Sequence, residues 1–282
     1  MIVDKQKLQE TVDYLATRTG IKPEVGIILG SGLGTVVDML EDAVHIPYGE
    51  IPNFPVSSVK GHGGQLAFGT CAGKGVVVQE GRVHFYEGLP AHKILYPLFV
   101  MKALGVKTVI NTNAAGGINP EFNGGDLMLV RDHINFMWLN PLTGPNDDSV
   151  GPRFPDMARA YHPRLREIAR QGGKELGIEL REGILISFSG PSYETRAEIA
   201  MSAQLGADAV GMSTVPEAIV SSYLGLRFLA ITFISNLVSS DRTAKLTHEE
   251  VTAAAGAASR KLASLIEYVV TEMKKVGGDP GK

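Results

Sequence analysis

Short apolar runs that alternate with helical patterns constrain the fold of this chain more than any other feature of its sequence. The runs lie at residues 25–29, 75–79, 107–111, 126–130, 183–187, 207–211 and 227–234. Helical patterns lie at residues 5–19, 92–104, 163–176, 194–205, 215–224 and roughly 248–275. Such runs are typical of strands buried on both faces, and helices between them favour parallel pairing. The pattern predicts an α/β fold with a central mixed, largely parallel twisted sheet flanked by helices.

Composition places the chain among ordinary globular enzymes. Of its 282 residues, 44% are hydrophobic and 20% are charged, which is too apolar for a disordered chain. The net charge is −3 and Lys and Arg form no basic stripe, so we expect no nucleic acid partner. No shift in composition marks a boundary, which predicts one domain over residues 1–282 with a flexible tail at 277–282.

The cysteine content and the first residues bear on the compartment. Cys71 is the single cysteine, so an intrachain disulfide framework is impossible and a cytoplasmic location is expected. The N-terminal residues mix charged and apolar side chains, unlike a signal peptide. The most apolar helical segment, residues 94–104, is too short to cross a membrane, and no Cys/His cluster has metal-site spacing. We therefore expect no membrane partner and no metal.

A glycine-rich turn follows the first apolar run. Residues 30–34 read Gly-Ser-Gly-Leu-Gly, in which the glycines allow close backbone approach and Ser31 adds a hydroxyl donor. The turn lacks the Lys-Ser or Lys-Thr pair of a P-loop and the spacing of a dinucleotide-binding loop. It is either an anion cradle or a plain tight turn.

Arg82, His84 and Tyr86 alternate with apolar residues over 81–86. If this segment is a strand, the three polar side chains lie on one face. Together they would form a good anion site, because Arg supplies a fork of charged donors. The alternative is a solvated strand face.

Polar or small residues also follow four later apolar runs, at residues 112–117, 190–196, 210–213 and 235–236. The carboxyl ends of strands in an open α/β sheet form the crevice where ligands bind. Tyr193 beside Glu194 suits a heterocycle that needs stacking and an acceptor, although Glu194 equally fits a helix start. Residues 112–117 alone are equally explained as a turn, but the four segments together indicate a binding crevice.

These segments together resemble the trimeric purine nucleoside phosphorylase family. The resemblance runs from residues 29–34 to about residue 252 and includes residues 60–64, 131–135, 144–147, 153–157 and 206–217. It implies that family's fold, a homotrimer, and phosphorolysis of inosine, guanosine or their 2′-deoxy forms to a free purine and (deoxy)ribose 1-phosphate. It implies no cofactor, because inorganic phosphate is the second substrate.

The resemblance also implies residue roles. Phosphate contacts are implied for Ser31, His62, Arg82, His84, Ser213 and the backbone of Ala114. Ribose contacts are implied for Tyr86, Met212 and His248, and base contacts for Tyr193, Glu194, Val210 and Asn236. Catalytic roles are implied for His84, Glu194 and Asn236. Phe154, in a long loop at residues 140–156, would reach the site of a neighbouring subunit.

Three positions depart from the family pattern, and three other functions compete. The family often has Phe at Tyr193, Thr at Ser235 and Arg at Gln65, and the last change removes a charge near the phosphate loop. A methylthioadenosine-type phosphorylase would carry an aspartate in place of Asn236. A nucleoside hydrolase would show an Asp-rich calcium motif near its N-terminus, which is absent. A phosphate or nucleotide sensor would need no purine pocket.

Overall fold

The computed structural model describes residues 3–30, 32–58, 64–238 and 248–273, with only the backbone described over 248–258. Ser31, His62 and the predicted tail at 277–282 lie outside the described residues, and the His248 side chain lies outside them too. The predicted positions of these groups are therefore not compared with the structure.

A mixed sheet forms the centre of the described structure. Its strands are β1 (Val25–Ile28), β2 (Glu41–Pro47), β3 (Gln65–Cys71), β4 (Lys74–Glu80), β5 (Thr108–Gly117), β6 (Leu127–Asn135), β7 (Leu180–Ser187), β8 (Ala209–Gly211) and β9 (Arg227–Leu237). They are ordered β2-β3-β4-β1-β5-β8-β7-β6-β9, and β9 also pairs with β5. The strands from β5 to β9 therefore close into a ring, from which β1 to β4 extend.

Pair directions confirm the mixed sheet. Parallel pairs join β1 to β4 and β5, β5 to β9, β6 to β7, and β7 to β8. Antiparallel pairs join β2 to β3, β3 to β4, β5 to β8, and β6 to β9. The antiparallel pairs extend the sheet at one edge and close the ring, while parallel pairs dominate its centre.

Helices cover both faces of the sheet. They are α1 (Lys5–Arg18), α2 (Ala91–Ile94), α3 (Tyr96–Ala103), α4 (Pro163–Glu175), α5 (Arg196–Gln204), α6 (Val215–Tyr223) and α7 (His248–Glu272). None of the helices over the described residues is both long and apolar enough to cross a membrane. The helical segment predicted at 92–104 is divided into α2 and α3 at Leu95, which has φ −97° and ψ 4°.

Alternate residues of the strands belong to two large apolar clusters, one on each face of the sheet. Val77 packs with residues of α1, α3 and α6, whereas Val76 and Val78 pack with residues of α4 and α7. Burial on both faces is what the continuous apolar runs predict. The hydrophobic effect of both clusters holds the helices against the sheet.

The sequence prediction missed β2 and β3 and placed the ends of three strands, β5, β6 and β9, too early. Every residue of β2 except Ile46 is exposed, and β2 lies at the edge of the sheet, so no apolar run marks it in the sequence. Residues 112–117, which the sequence placed after the end of a strand, continue β5 because β9 pairs along them. Residues 235–237 continue β9 in the same way.

The long loop predicted at 140–156 contains no helix or strand and is anchored to two helices. The Asp147 carboxylate lies 2.9 Å from the Lys5 ammonium of α1. Its backbone carbonyl accepts a hydrogen bond of 3.1 Å from the Tyr223 hydroxyl of α6. The middle of the loop is therefore tied to α1 and α6.

Candidate active site

A cavity of about 360 Å³ lies at the carboxyl ends of several strands. It is lined by residues that are far apart in the sequence: Gly30, Arg82, His84, Tyr86, residues 113–116, Pro191, Tyr193, Glu194, residues 210–213, Ser235, Asn236 and Val238. Most of the predicted candidate residues that the structure describes are therefore brought together. A cavity of this size and position is typical of a small-molecule site in an α/β protein.

The cavity lies where β5 changes partner. β5 pairs with β1 along Thr108–Asn111 and with β8 only from Gly116 onward. On that side, residues 112–115 have no strand partner among the described strands. Gly30 fits against this stretch, since a Cβ at Gly30 would lie 2.8 Å from the Asn113 Cα. Only glycine allows this backbone approach, which places Gly30 directly against Asn113.

Arg82 is buried at one end of the cavity, with 3% of its surface exposed. Its Nη1 donates to a Glu217 carboxylate oxygen at 2.9 Å, and its Nη2 donates to the Thr112 carbonyl. A weaker contact of 3.4 Å joins Nη1 to Asn111 Oδ1. The guanidinium is thus a cation held on its protein side by acceptors from β5 and α6.

His84 and Tyr86 line the cavity, although residues 82–86 do not form the strand on which their one-face placement was conditional. β4 ends at Glu80, Gly81 adopts φ 85°, and Phe85–Glu87 form a 3₁₀ turn. The His84 and Tyr86 rings still lie side by side, stacked with centroids 4.8 Å apart and planes 9° apart. Burial raises the pKa of the Tyr86 phenol to about 12, so it remains a hydrogen-bond donor at neutral pH.

Glu87 supports this 3₁₀ turn. Its carboxylate accepts hydrogen bonds of 2.7 Å from the backbone N–H groups of His84 and Ser58 and one of 2.8 Å from the Ser58 hydroxyl. Burial acts to raise the pKa of Glu87, but the hydrogen bonds from His84 and Ser58 lower it to about 2. The ionised carboxylate therefore links His84 to Ser58.

Ser213 reaches the cavity from a strained turn between β8 and α6. Thr214 has φ 75° and ψ −46°, and the Val215 N–H donates to the Ser213 carbonyl at 2.9 Å. This is a γ-turn with positive φ, which is rare and costly for a β-branched residue. The buried Thr214 hydroxyl donates to Asn111 Oδ1 at 3.0 Å and so holds the turn in place.

The other end of the cavity carries Tyr193, Glu194 and Asn236. Thr195 is the N-cap of α5 and accepts from the Glu198 N–H, so Glu194 is not the helix cap and its side chain lines the cavity. Burial raises the pKa of the Glu194 carboxyl. Tyr193 is 45% exposed, and Asn236 Oδ1 accepts from the Ser235 hydroxyl at 2.8 Å.

Val210, Met212 and Ala114 also line the cavity, whereas Phe154 does not. Phe154 is 86% exposed, and the Arg153 guanidinium lies 5.7 Å from its ring centroid. The structure of this single chain does not bring Phe154 to the cavity. Its predicted role at the site of a neighbouring subunit stays a prediction.

Comparison with known proteins identifies the family. A model of the phosphorylase superfamily matches residues 24–271. Purine nucleoside phosphorylase 1 of Geobacillus stearothermophilus is 46% identical over 97% of this chain and 100% of its own length. The chain belongs to the purine nucleoside phosphorylase family. The Bos taurus purine nucleoside phosphorylase is 45% identical over 95% of this chain and 96% of its own length.

Solved structures of purine nucleoside phosphorylases share this fold. The Schistosoma mansoni enzyme in complex with adenosine superposes with a TM-score of 0.91 at 38% identity, over 97% of this chain and 98% of that chain. The complex of the same organism's enzyme with inosine gives a TM-score of 0.90 at 38% identity with the same coverage. The predicted α/β fold is therefore that of a purine nucleoside phosphorylase.

The sequence predictions missed three residues that hold cavity-lining residues in place. Asn111, Glu87 and Glu217 contact residues of the cavity but do not line it. A buried carboxylate has a sequence signal only if its partner is known, and the partner of Glu217 lies 135 residues away. Asn111, at the end of an apolar run, resembles any strand-terminal polar residue.

Proposed function

We propose that this protein catalyses the phosphorolysis of inosine, guanosine and their 2′-deoxy forms, in purine salvage. The products are the free purine and (deoxy)ribose 1-phosphate. One observation carries the proposal: a single cavity is lined by a buried guanidinium and also by a carboxylate and a carboxamide. Anionic phosphate suits the guanidinium, and a 6-oxopurine suits the carboxylate and the carboxamide.

In this proposal the phosphate lies at the Arg82 end. Arg82 supplies charge, and His84, Ser213 and the backbone N–H of Ala114 supply further donors around the same space. Ser31 and His62 complete the set according to the family resemblance. Charge-assisted hydrogen bonds of this kind are stronger than neutral ones, so a small anion is held without any net positive charge on the chain.

The ribose lies between the two ends, against Tyr86 and Met212. Tyr86 is held in place by its stack on His84, which links ribose position to the phosphate end. Met212 lies close to Gly190, where an added Cβ would approach its sulfur to 2.4 Å. His248 would contact the 5′-hydroxyl by family resemblance.

The purine lies against Tyr193 and Val210, with Glu194 and Asn236 as its polar partners. Asn236 accepts a hydrogen bond from N7–H and donates one to O6, while Glu194 accepts from N1–H. As a phosphate oxygen attacks C1′, the C1′–N9 bond breaks and its electron pair goes to the purine. Protonation at N7, with solvent as the proton source, neutralises that charge, and donors aimed at developing charge contribute ~3–4 kcal/mol each.

This chemistry needs no cofactor, because phosphate is the nucleophile and its negative charge offsets the oxocarbenium character of the sugar. A hydrolase of the same bond uses a carboxylate pair or an activated water instead. We further propose a cytoplasmic homotrimer, in which Phe154 of each subunit covers the nucleoside site of its neighbour. The exposed Phe154 ring supports this arrangement, since a large exposed aromatic is typical of an interface.

The direct test is turnover of inosine with and without inorganic phosphate. We expect hypoxanthine release to require phosphate and to yield ribose 1-phosphate in equal amount. Free ribose formed at the same rate in phosphate-free buffer would reject phosphorolysis in favour of hydrolysis. Binding of phosphate without any base release would instead indicate a sensor.

A further inference from the structure

The buried surroundings of Arg82 contain a residue with no role in the proposal above. Glu217 lies in the first turn of α6, is 7% exposed, and does not line the cavity. Its carboxylate oxygen lies 2.9 Å from Arg82 Nη1 and forms a buried ion pair. A buried ion pair costs desolvation free energy on both sides, so a position that retains one calls for a reason other than stability alone.

The contacts of Arg82 indicate what that reason is. A guanidinium has five N–H donors in a rigid planar fork, so acceptors on one side decide where the remaining donors point. Glu217 and the Thr112 carbonyl each accept from a different terminal nitrogen of Arg82. Two such contacts fix both the plane and the rotation of the fork.

The same cluster extends to the turn that carries Ser213. Asn111 Oδ1 lies 3.4 Å from Arg82 Nη1 and accepts from the Thr214 hydroxyl at 3.0 Å. Thr214 occupies the strained γ-turn, and Glu217 follows three residues later in the helix that this turn begins. Arg82 and Ser213 are therefore held by the same hydrogen-bonded cluster, although the segments that carry them follow strands on opposite sides of β5.

We propose that Glu217 is a positioning residue for the phosphate site, which acts only through Arg82. It fixes the direction of the guanidinium before phosphate arrives, so that binding does not have to order a long flexible side chain. This inference rests on the proposed function. It predicts that substitution of Glu217 changes the KM for phosphate and leaves recognition of the purine unchanged.

The test is a double-mutant cycle of Arg82→Ala and Glu217→Gln, assayed for KM and kcat with phosphate and inosine varied separately. Gln keeps the shape and one acceptor oxygen of Glu217 but loses the charge-assisted bond. We expect Glu217→Gln to raise the phosphate KM about ten-fold, as loss of such a bond implies, with the inosine KM changed less than two-fold. In the Arg82→Ala background, the same substitution should reduce kcat/KM for phosphate no further.

Ser221→Ala is the matched control, because Ser221 lies one turn further along α6 and is fully buried. Among the described residues its hydroxyl has no hydrogen-bond partner, so its removal should leave both KM values unchanged. An equal loss from Glu217→Gln with and without Arg82 would overturn the proposal, as would equal rises in both KM values. If wild-type turnover does not require phosphate, the proposed function fails first, whatever the cycle shows.

A lower melting temperature in Glu217→Gln would not by itself support the proposal, so thermal unfolding is recorded for every variant. If Glu217→Gln unfolds at a lower temperature but retains the wild-type phosphate KM below that temperature, Glu217 is structural and the proposal is wrong.

Discussion

The two ends of the cavity are held in different ways. At the phosphate end, the partners of Arg82 lie 29, 30 and 135 residues away in sequence, on β5 and α6. At the base end, Asn236 contacts its immediate neighbours: Ser235 donates to its Oδ1, and its Nδ2 donates to the Leu237 carbonyl at 3.3 Å. The Arg82 side chain is thus fixed by groups distant in sequence, whereas the Asn236 side chain is held by its sequence neighbours.

This difference indicates that the two ends bind their ligands in different ways. Preorganised donors stabilise charge without reorganisation during the reaction, which suits an anion whose charge is always present. Local contacts such as those of Asn236 can be exchanged for a ligand at little cost, because the amide stays near solvent. In the proposed function, the Asn236 amide is thus suited to form its hydrogen bonds when the purine arrives.

The largest expected effect comes from breaking the fixed end. Arg82→Ala should lower kcat/KM for phosphate about 10²–10³-fold, because a preorganised donor to a charged ligand is lost. Steady-state kinetics with phosphate varied at saturating inosine measure this. Arg170→Ala is the control, since Arg170 forms ion pairs with Glu167 and Glu182 on the surface and should have wild-type kinetics. Unchanged kinetics with a much lower melting temperature would show that Arg82 is structural only.

The next effect tests the exchangeable end. A carboxamide presents one acceptor and one donor, which matches N7–H with O6 but not with a 6-amino group. Asn236→Asp should therefore shift the ratio of kcat/KM for inosine and adenosine toward adenosine by one to two decades, as an unmatched polar pair costs about 1–3 kcal/mol. Asn123→Asp, at an exposed position outside the cavity, is the control.

Kinetics rather than binding must decide this prediction, since related Schistosoma mansoni structures hold adenosine and inosine alike. A wild-type enzyme that turned over both nucleosides equally would remove Asn236 as the selector. Glu194 would then be the next residue to test.

The smallest effect concerns the rim of the base end. Phe154→Ala should raise the inosine KM several-fold, because an aromatic contact of about 0.5–1.5 kcal/mol is lost, and leave the phosphate KM unchanged. Leu176→Ala, which truncates another exposed apolar side chain, should change neither constant. Sedimentation analysis gives the assembly state, and a fully active monomer would contradict the role of Phe154 across a subunit boundary.

The sequence predicted the α/β class and most of the cavity, because buried strands leave apolar runs and their carboxyl ends meet in one crevice. It failed where the signal is not local. β2 lies at the sheet edge and has little apolar content, and β5 continues past Asn111 only because β9 pairs with it. Residues 82–86 do not form a strand, since β4 ends at Glu80 and Gly81 has a positive φ, yet the His84 and Tyr86 rings still stack on each other.

The support behind the site was beyond the reach of sequence patterns for a related reason. Glu217 reads as an ordinary first-turn acid at a helix N-terminus, which is a favourable place for a carboxylate in any helix. Thr214 gives no hint of its positive φ, because β-branched residues seldom adopt it. Both become meaningful only when β4, β5 and α6 are placed together.

The closed ring of strands has a consequence for how the protein folds. β5 and β9 pair over more than a hundred intervening residues, and β5 carries the centre of the cavity. Contacts of such long sequence separation form slowly, because the intervening chain must be ordered before they are gained. A nascent or partly refolded chain can hold most of its helices and still have no cavity. We therefore expect turnover to appear only after β5 and β9 have paired.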